Sequence, residues 1–255
     1  MASSASTSPA DLDAGSEVES WPATLRREAL RVAVVSLAAV LVCLGLRAYV
    51  VQLFYIPSAS METTLLEGDR IAVDEVSGFS RGDIVVFSDP GGWLRGVEPT
   101  GRLSDRLGPA RAHLAKRVIG TAGDTVTCCG SAGEVDVNGY PLDEDYLYAA
   151  PSENLADARL PFSVTVPTGY VFVLGDHRNI SADSRCHLAD PAGVPPDASA
   201  QPGFVAVSDV VGRGVAIVRP LSRVRLLHVP ATFAGVPAPR EPAPALARVS
   251  APPAC

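Results

Sequence analysis

From Val32 to Phe54 the chain runs VAVVSLAAVLVCLGLRAYVVQLF, 23 residues with a single charge. An α-helix rises ~1.5 Å per residue, so this run would reach about 34 Å, enough to cross a hydrocarbon core of roughly 30 Å. A cleaved secretory leader has a shorter apolar region, roughly 7 to 15 residues, followed by a small-residue cleavage site. A buried helix of a soluble core is the other alternative. The length of the run predicts a membrane helix over 32–54. Arg47 lies in its last third, where its stem can carry the guanidinium to the nearer interface, and Tyr49, Phe54 and Tyr55 supply an aromatic boundary. Arg26, Arg27 and Arg31 precede the run, and Glu62, Glu67 and Asp69 follow it. The positive-inside rule then places the N-terminus in the cytoplasm and everything after Phe54 outside.

The rest of the chain divides around that run. Residues 1–24 are rich in Ser, Ala, Asp and Glu without apolar periodicity and read as a disordered cytoplasmic tail. Residues 55–228 read as a mostly β, extracytoplasmic domain. Short Val/Ile-rich runs recur at 69–76, 83–89, 116–120, 124–128, 134–137, 163–166, 170–174 and 204–218, with Asn138-Gly139 and Pro167-Thr168-Gly169 as turn chemistry between them. Within it, about 129–165 reads as a smaller β insertion. No helical run is long enough for a βαβ unit, which argues against a parallel doubly wound sheet. Segments 90–111 and 187–203 read as loops, and 229–255 as a Pro/Ala-rich disordered tail.

Of 255 residues 47 % are hydrophobic, which suffices for a real core, and the net charge of −7 argues against a general nucleic-acid binder. The five cysteines, Cys43, Cys128, Cys129, Cys186 and Cys255, include no C-x-x-C pair and no His at metal-ligand spacing, so no metal is expected. An external location permits disulfides; Cys128 or Cys129 can pair with Cys186, the two can bond to each other, or all can stay free thiols.

Among 21 basic residues only Lys116 is lysine. Arginine stays charged, whereas burial can turn a lysine into a neutral base. Lys116 opens the β-like run KRVIG, where alternation sends Lys116 and Val118 to one face and Arg117 and Ile119 to the other. With one basic residue expected to face inward, Lys116 suits that place better than Arg117. A solvated lysine is the alternative. Upstream, Ile56-Pro57-Ser58-Ala59-Ser60-Met61 offers serines directly after the apolar run. A serine needs a base to become a nucleophile, and no histidine here sits in a G-x-S-x-G elbow.

The segments IPSASMETTLLEGDRI (56–71), RGDIVVF (81–87), KRVIGTAGDTV (116–126) and GDHRNISADSR (175–185) resemble, in order and approximate spacing, the four boxes of the type I signal peptidases. These are membrane-bound bacterial leader peptidases that use a Ser/Lys dyad. The resemblance implies a signal-peptidase-like antiparallel β catalytic domain held by one N-terminal transmembrane helix in the bacterial cytoplasmic membrane, without metal or cofactor. It implies Ser60 as nucleophile and Lys116 as general base, with Ser58 completing the oxyanion hole, Ser181 orienting the lysine, and Asp183 with Arg185 bracing the loop. The implied substrates are signal peptides of secretory pre-proteins, with small residues at the first and third positions before the cut. Ile56, Met61, Ile84 and Val86 are candidates to line the pockets, and 83–87 with 56–61 to offer the sheet edge on which an extended substrate docks. Thr63 stands where the family has Pro, and His177-Arg178-Asn179-Ile180-Ser181 where it has Asn-Arg-Asp-Asn-Ser. These departures leave loop geometry and substrate preference open, and His177 reads as a loop residue. A Ser/Lys protease dedicated to one pilin-like or assembly substrate, or a non-catalytic anchored scaffold, are the alternatives.

Overall fold

The computed structural model describes residues 23–90, 93, 113–130, 133–148, 160–188 and 201–250. The tail 1–22, most of the segment 90–111 and all of 189–200 lie outside these. Two compact units divide at Arg47/Ala48.

Helix α1 runs Ala23–Val50, and the chain then enters strand β1, Val51–Tyr55. The predicted helix 32–54 therefore ends four residues early. VQLFY is β-branched and aromatic, and it pairs antiparallel with β2, Arg70–Asp74, from Val51 opposite Asp74 to Tyr55 opposite Arg70. The ladder hydrogen bonds of β2 outweigh continuation of the helix. Side-chain environments in α1 are described as far as Leu41 and at Gly45. Among the described residues, no helix is long and apolar enough to cross a membrane.

The second unit is built of antiparallel strands. The runs predicted as strands recur as β2, β3 (Ile84–Ser88), β4 (His113–Gly120), β5 (Thr125–Cys128), β6 (Val135–Val137), β8 (Phe162–Thr165) and β9 (Tyr170–Leu174). The run 204–218 splits into β10 (Val205–Ala206) and β11 (Val210–Arg219). Strands β7 (Tyr140–Pro141), β12 (Arg225–Leu226) and β13 (Arg248–Ser250) complete the described set.

The larger sheet has the order β1-β2-β11-β3-β4-β9-β10, with β12 beside β11, and the smaller has β13-β8-β5-β6-β7. Strands β6, β7 and β8 of the smaller sheet fall within 129–165, and β5 and β13 join them from outside it. Strand β3 reads Ile-Val-Val-Phe without polar alternation because both of its faces are covered: Ile84 and Val86 join one apolar cluster, Val85 and Phe87 another. It also lies between β11 and β4. Strand 83–87 is therefore interior and cannot serve as the docking edge expected of it.

Residues 229–250, expected as a disordered tail, are ordered. Ala231–Gly235 form a 3-10 turn whose Phe233 is buried with Val236 in the core shared with β5, β6, β8 and β9, and β13 pairs with β8. A few apolar anchors suffice because they complete a core that the rest of the chain has already built. Cys128 and Cys129 are joined to each other by a disulfide.

Candidate active site

Ser60 sits in a single 3-10 turn, Ala59–Met61, between β1 and β2. Met61, buried at its end, pins the turn to the cluster of Ile56, Leu65, Ile71, Val73, Ile84, Val86 and Ile217. On strand β4, Lys116 stands opposite Val85. Its side chain reaches Ser60, with Nζ 2.5 Å from Oγ. Ser58, exposed, has its Oγ 3.2 Å from Ser60 Oγ.

Lys116 is only 4 % exposed. Burial lowers its pKa to about 8 from 10.5; Asp183 and then Asp176 oppose that shift, and Arg185 adds to it. At pH 7 an amine of pKa about 8 is neutral in about a tenth of the molecules, against fewer than about one in a thousand at 10.5. Neutral amine beside a hydroxyl is the arrangement a general base requires.

Arg117 departs from expectation. It is 2 % exposed, no less buried than the lysine beside it. The expectation that one of the two faces solvent fails because β4 has both faces covered and a carboxylate waits for the guanidinium. Arg117 Nε donates to Asp176 Oδ1 at 2.8 Å and Nη2 to Oδ2 at 2.5 Å, Nη1 donates to the Gly82 carbonyl, and the guanidinium lies 4.4 Å from the centre of the Tyr146 ring. Thr64, just past the nucleophile, donates its hydroxyl to the same Asp176 at 2.6 Å.

The loop 175–185 carries two more buried pairs. Arg185 binds Asp183 through Nε at 2.8 Å and Nη2 at 2.9 Å, and Asp183 also accepts from Gly175 N and Arg185 N. Burial alone would raise the Asp183 pKa, but the Arg185 charge, its hydrogen bonds and the Gly175 N–H hold it below its ordinary value. Arg178 binds Glu144, whose Oε1 also accepts from Tyr146. Gly175 has no room for a side chain: a Cβ there would collide with the Ser60 carbonyl and Ser181 Oγ. The loop thus lies directly against the nucleophile.

The structure brings Ser60, Lys116 and Ser58 together and pairs Asp183 with Arg185. Ser181 is buried, but its Oγ has no hydrogen-bond partner among the described residues, so the expected bond to Lys116 is not made in this geometry. Ile56, Met61, Ile84 and Val86 do come together, as one buried cluster against which the partly exposed Phe54, Ala115 and Leu227 pack. Sequence reasoning missed Arg117, Asp176 and Thr64 as parts of the site; the adjacency of Arg117 to Lys116 and of Asp176 to Gly175 was the available signal.

A family model described as signal peptidase, peptidase S26, matches residues 29–219. Signal peptidase I of Mycobacterium tuberculosis (strain ATCC 25618 / H37Rv) is 36 % identical over 237 residues, covering 79 % of this chain and 76 % of that protein. Signal peptidase I of Leptolyngbya laminosa is 32 % identical over 198 residues, covering 76 % and 81 %. A crystal structure of a signal peptidase I from Enterococcus faecalis V583 aligns at 28 % identity over 54 % of this chain and 97 % of that one, with a TM-score of 0.35.

Proposed function

The chain belongs to the peptidase S26 family of signal peptidases, and on that premise we propose that it removes signal peptides from secreted pre-proteins by an acyl-enzyme mechanism run by Ser60 and Lys116. The observation that carries this reading is the 2.5 Å approach of a buried lysine, its pKa lowered to about 8, to the hydroxyl of Ser60.

Neutral Lys116 takes the proton from Ser60 Oγ as Oγ attacks the scissile carbonyl. The Ser60 N–H and the Ser58 hydroxyl stabilise the developing oxyanion, each such donor being worth ~3 kcal/mol in related chemistries. The ammonium then gives its proton to the departing amine. A water, deprotonated by the same lysine, cleaves the ester and restores Ser60. Ser181, whose buried hydroxyl has no hydrogen-bond partner among the described residues, is assigned to hold the amine while Ser60 is acylated.

The substrate is assigned to the side of β4 away from β3. Strand β4 pairs with β3 over His113–Arg117, but with β9 only from Arg117 onward, so among the described residues no strand pairs with the other edge of Leu114–Lys116. An extended peptide added there runs past the nucleophile, with Phe54 and Ala115 over a floor of Ile56, Met61, Ile84 and Val86. A floor already filled by core side chains leaves shallow pockets, which suits small residues before the cut.

Helix α1 is assigned as the anchor in the cytoplasmic membrane, its N-terminus cytoplasmic. Leu30, Val32, Val34, Val35, Leu37, Val40 and Leu41 are all exposed, an apolar surface that suits lipid. Cleavage of a pre-protein by the full chain, beside Ser60→Ala and Lys116→Arg, tests the reading. Both variants are expected to be inactive; wild-type turnover by either would sink it.

A further inference from the structure

The turn that carries Ser60 is gripped from one direction by three consecutive residues. Gly175 packs on the Ser60 carbonyl, Asp176 accepts the Thr64 hydroxyl, and the His177 N–H donates to the Ser60 carbonyl at 3.1 Å. The first two contacts use residues that match the resembled boxes. The third is joined by something those boxes do not contain: the His177 ring, with Nδ1 3.2 Å from Glu62 Oε2. Tyr148 lies against the same ring, centroids 4.1 Å apart, and the Tyr148 N–H donates to the Asp176 carbonyl. Glu62 in turn closes the nucleophile's turn through its own N–H to the Ala59 carbonyl at 3.1 Å.

Resting on the Ser60/Lys116 reading, we propose that Glu62 and His177 are positioning residues for Ser60: the side-chain contact fixes the far end of the 3-10 turn to the 175–177 loop. The peptide following Ser60 is then held at both ends. Its carbonyl accepts from the His177 N–H at 3.1 Å, and the next residue but one brings its carboxylate within 3.2 Å of His177 Nδ1, a close polar approach whose angles fall short of a hydrogen bond, beneath the Tyr148 ring. A turn of three residues has few hydrogen bonds of its own, and without this tie the Ser60 hydroxyl can swing away from Nζ while the apolar floor that binds substrate stays in place. The loss therefore belongs to the chemical step and not to substrate binding.

Full-length protein carrying Glu62→Ala, His177→Ala or both, assayed on a signal-peptide substrate, tests this. Each single variant is expected to lower kcat about tenfold with KM within about twofold of wild type. Because both act through one contact, the double variant should be no more than about twofold slower than the slower single. The alkaline rise of the pH–rate profile, set by Lys116, should keep its midpoint while its plateau falls. Wild-type kcat in Glu62→Ala, a loss confined to KM, or losses that multiply in the double variant would overturn the proposal. His177 is buried and its replacement can fail to fold, whereas the Glu62 side chain is 24 % exposed, so Glu62→Ala decides alone if needed. Activity in Ser60→Ala overturns both this inference and the reading beneath it. An inactive Ser60→Ala together with wild-type kcat in Glu62→Ala overturns this inference only.

Discussion

Burying Lys116 works against the folded state, because the protonated amine is displaced from its ordinary pKa of 10.5 to about 8. The unfolded chain binds more protons than the native one between these two values. The destabilisation is therefore full below about pH 8 and fades as the pH rises to about 10.5. A shift of that size corresponds to about 3 kcal/mol. Lys116→Met is accordingly expected to raise stability at pH 7 by an amount of that order while abolishing cleavage, with the gain shrinking toward pH 10; denaturant titration at several pH values checks it. For the wild type, kcat/KM should climb about tenfold per pH unit below 8 and then level off. Lys116 could be singled out from sequence because it is the one lysine among arginines. The burial of Arg117 could not, since a period-two pattern says that neighbours point to opposite faces but not whether both faces are covered.

At the scale of the element, the loop 175–185 is a short stretch held by ion pairs in place of apolar packing. Asp176 joins it to β4 through Arg117 and to the nucleophile's segment through Thr64. Removing one member of a buried pair leaves the other charge without compensation, at about 3 to 5 kcal/mol. Asp176→Ala is thus expected to lose that much stability in urea, and to lose activity as well because Thr64 is released; an unchanged denaturation midpoint would show that water compensates Arg117. The pair spans 59 residues of sequence, so nothing local announces it. Most strand runs were legible from their Val/Ile composition, but their neighbours were not. That is how β3, a well-formed strand in either reading, was expected at an edge and lies inside.

At the scale of the catalytic unit, the two sheets share one core, which residues near its C-terminal end help to complete. Phe233 and Val236 are buried among residues of β5, β6, β8 and β9, and β13 covers the outer side of β8. Ending the chain after residue 228 is expected to cost on the order of 4 kcal/mol from the two lost side chains. It would also leave β8 with a bare edge open to aggregation. Comparing thermal midpoints and sedimentation of the truncated and full-length proteins checks both effects. The Pro/Ala-rich composition of that segment concealed its role, because it cannot form a core by itself and only completes one made elsewhere.

The pairing of β13 with β8 also sets an order of events in time. Residue 250 is joined to residue 163, so a chain made from its N-terminus has the nucleophile, the lysine and the 175–185 loop in hand long before the strand that closes the smaller sheet. Throughout that interval β8 has an open side that any extended segment can occupy, including one from a second nascent copy. The strand at 248–250 is then the one that ends the window for mispairing.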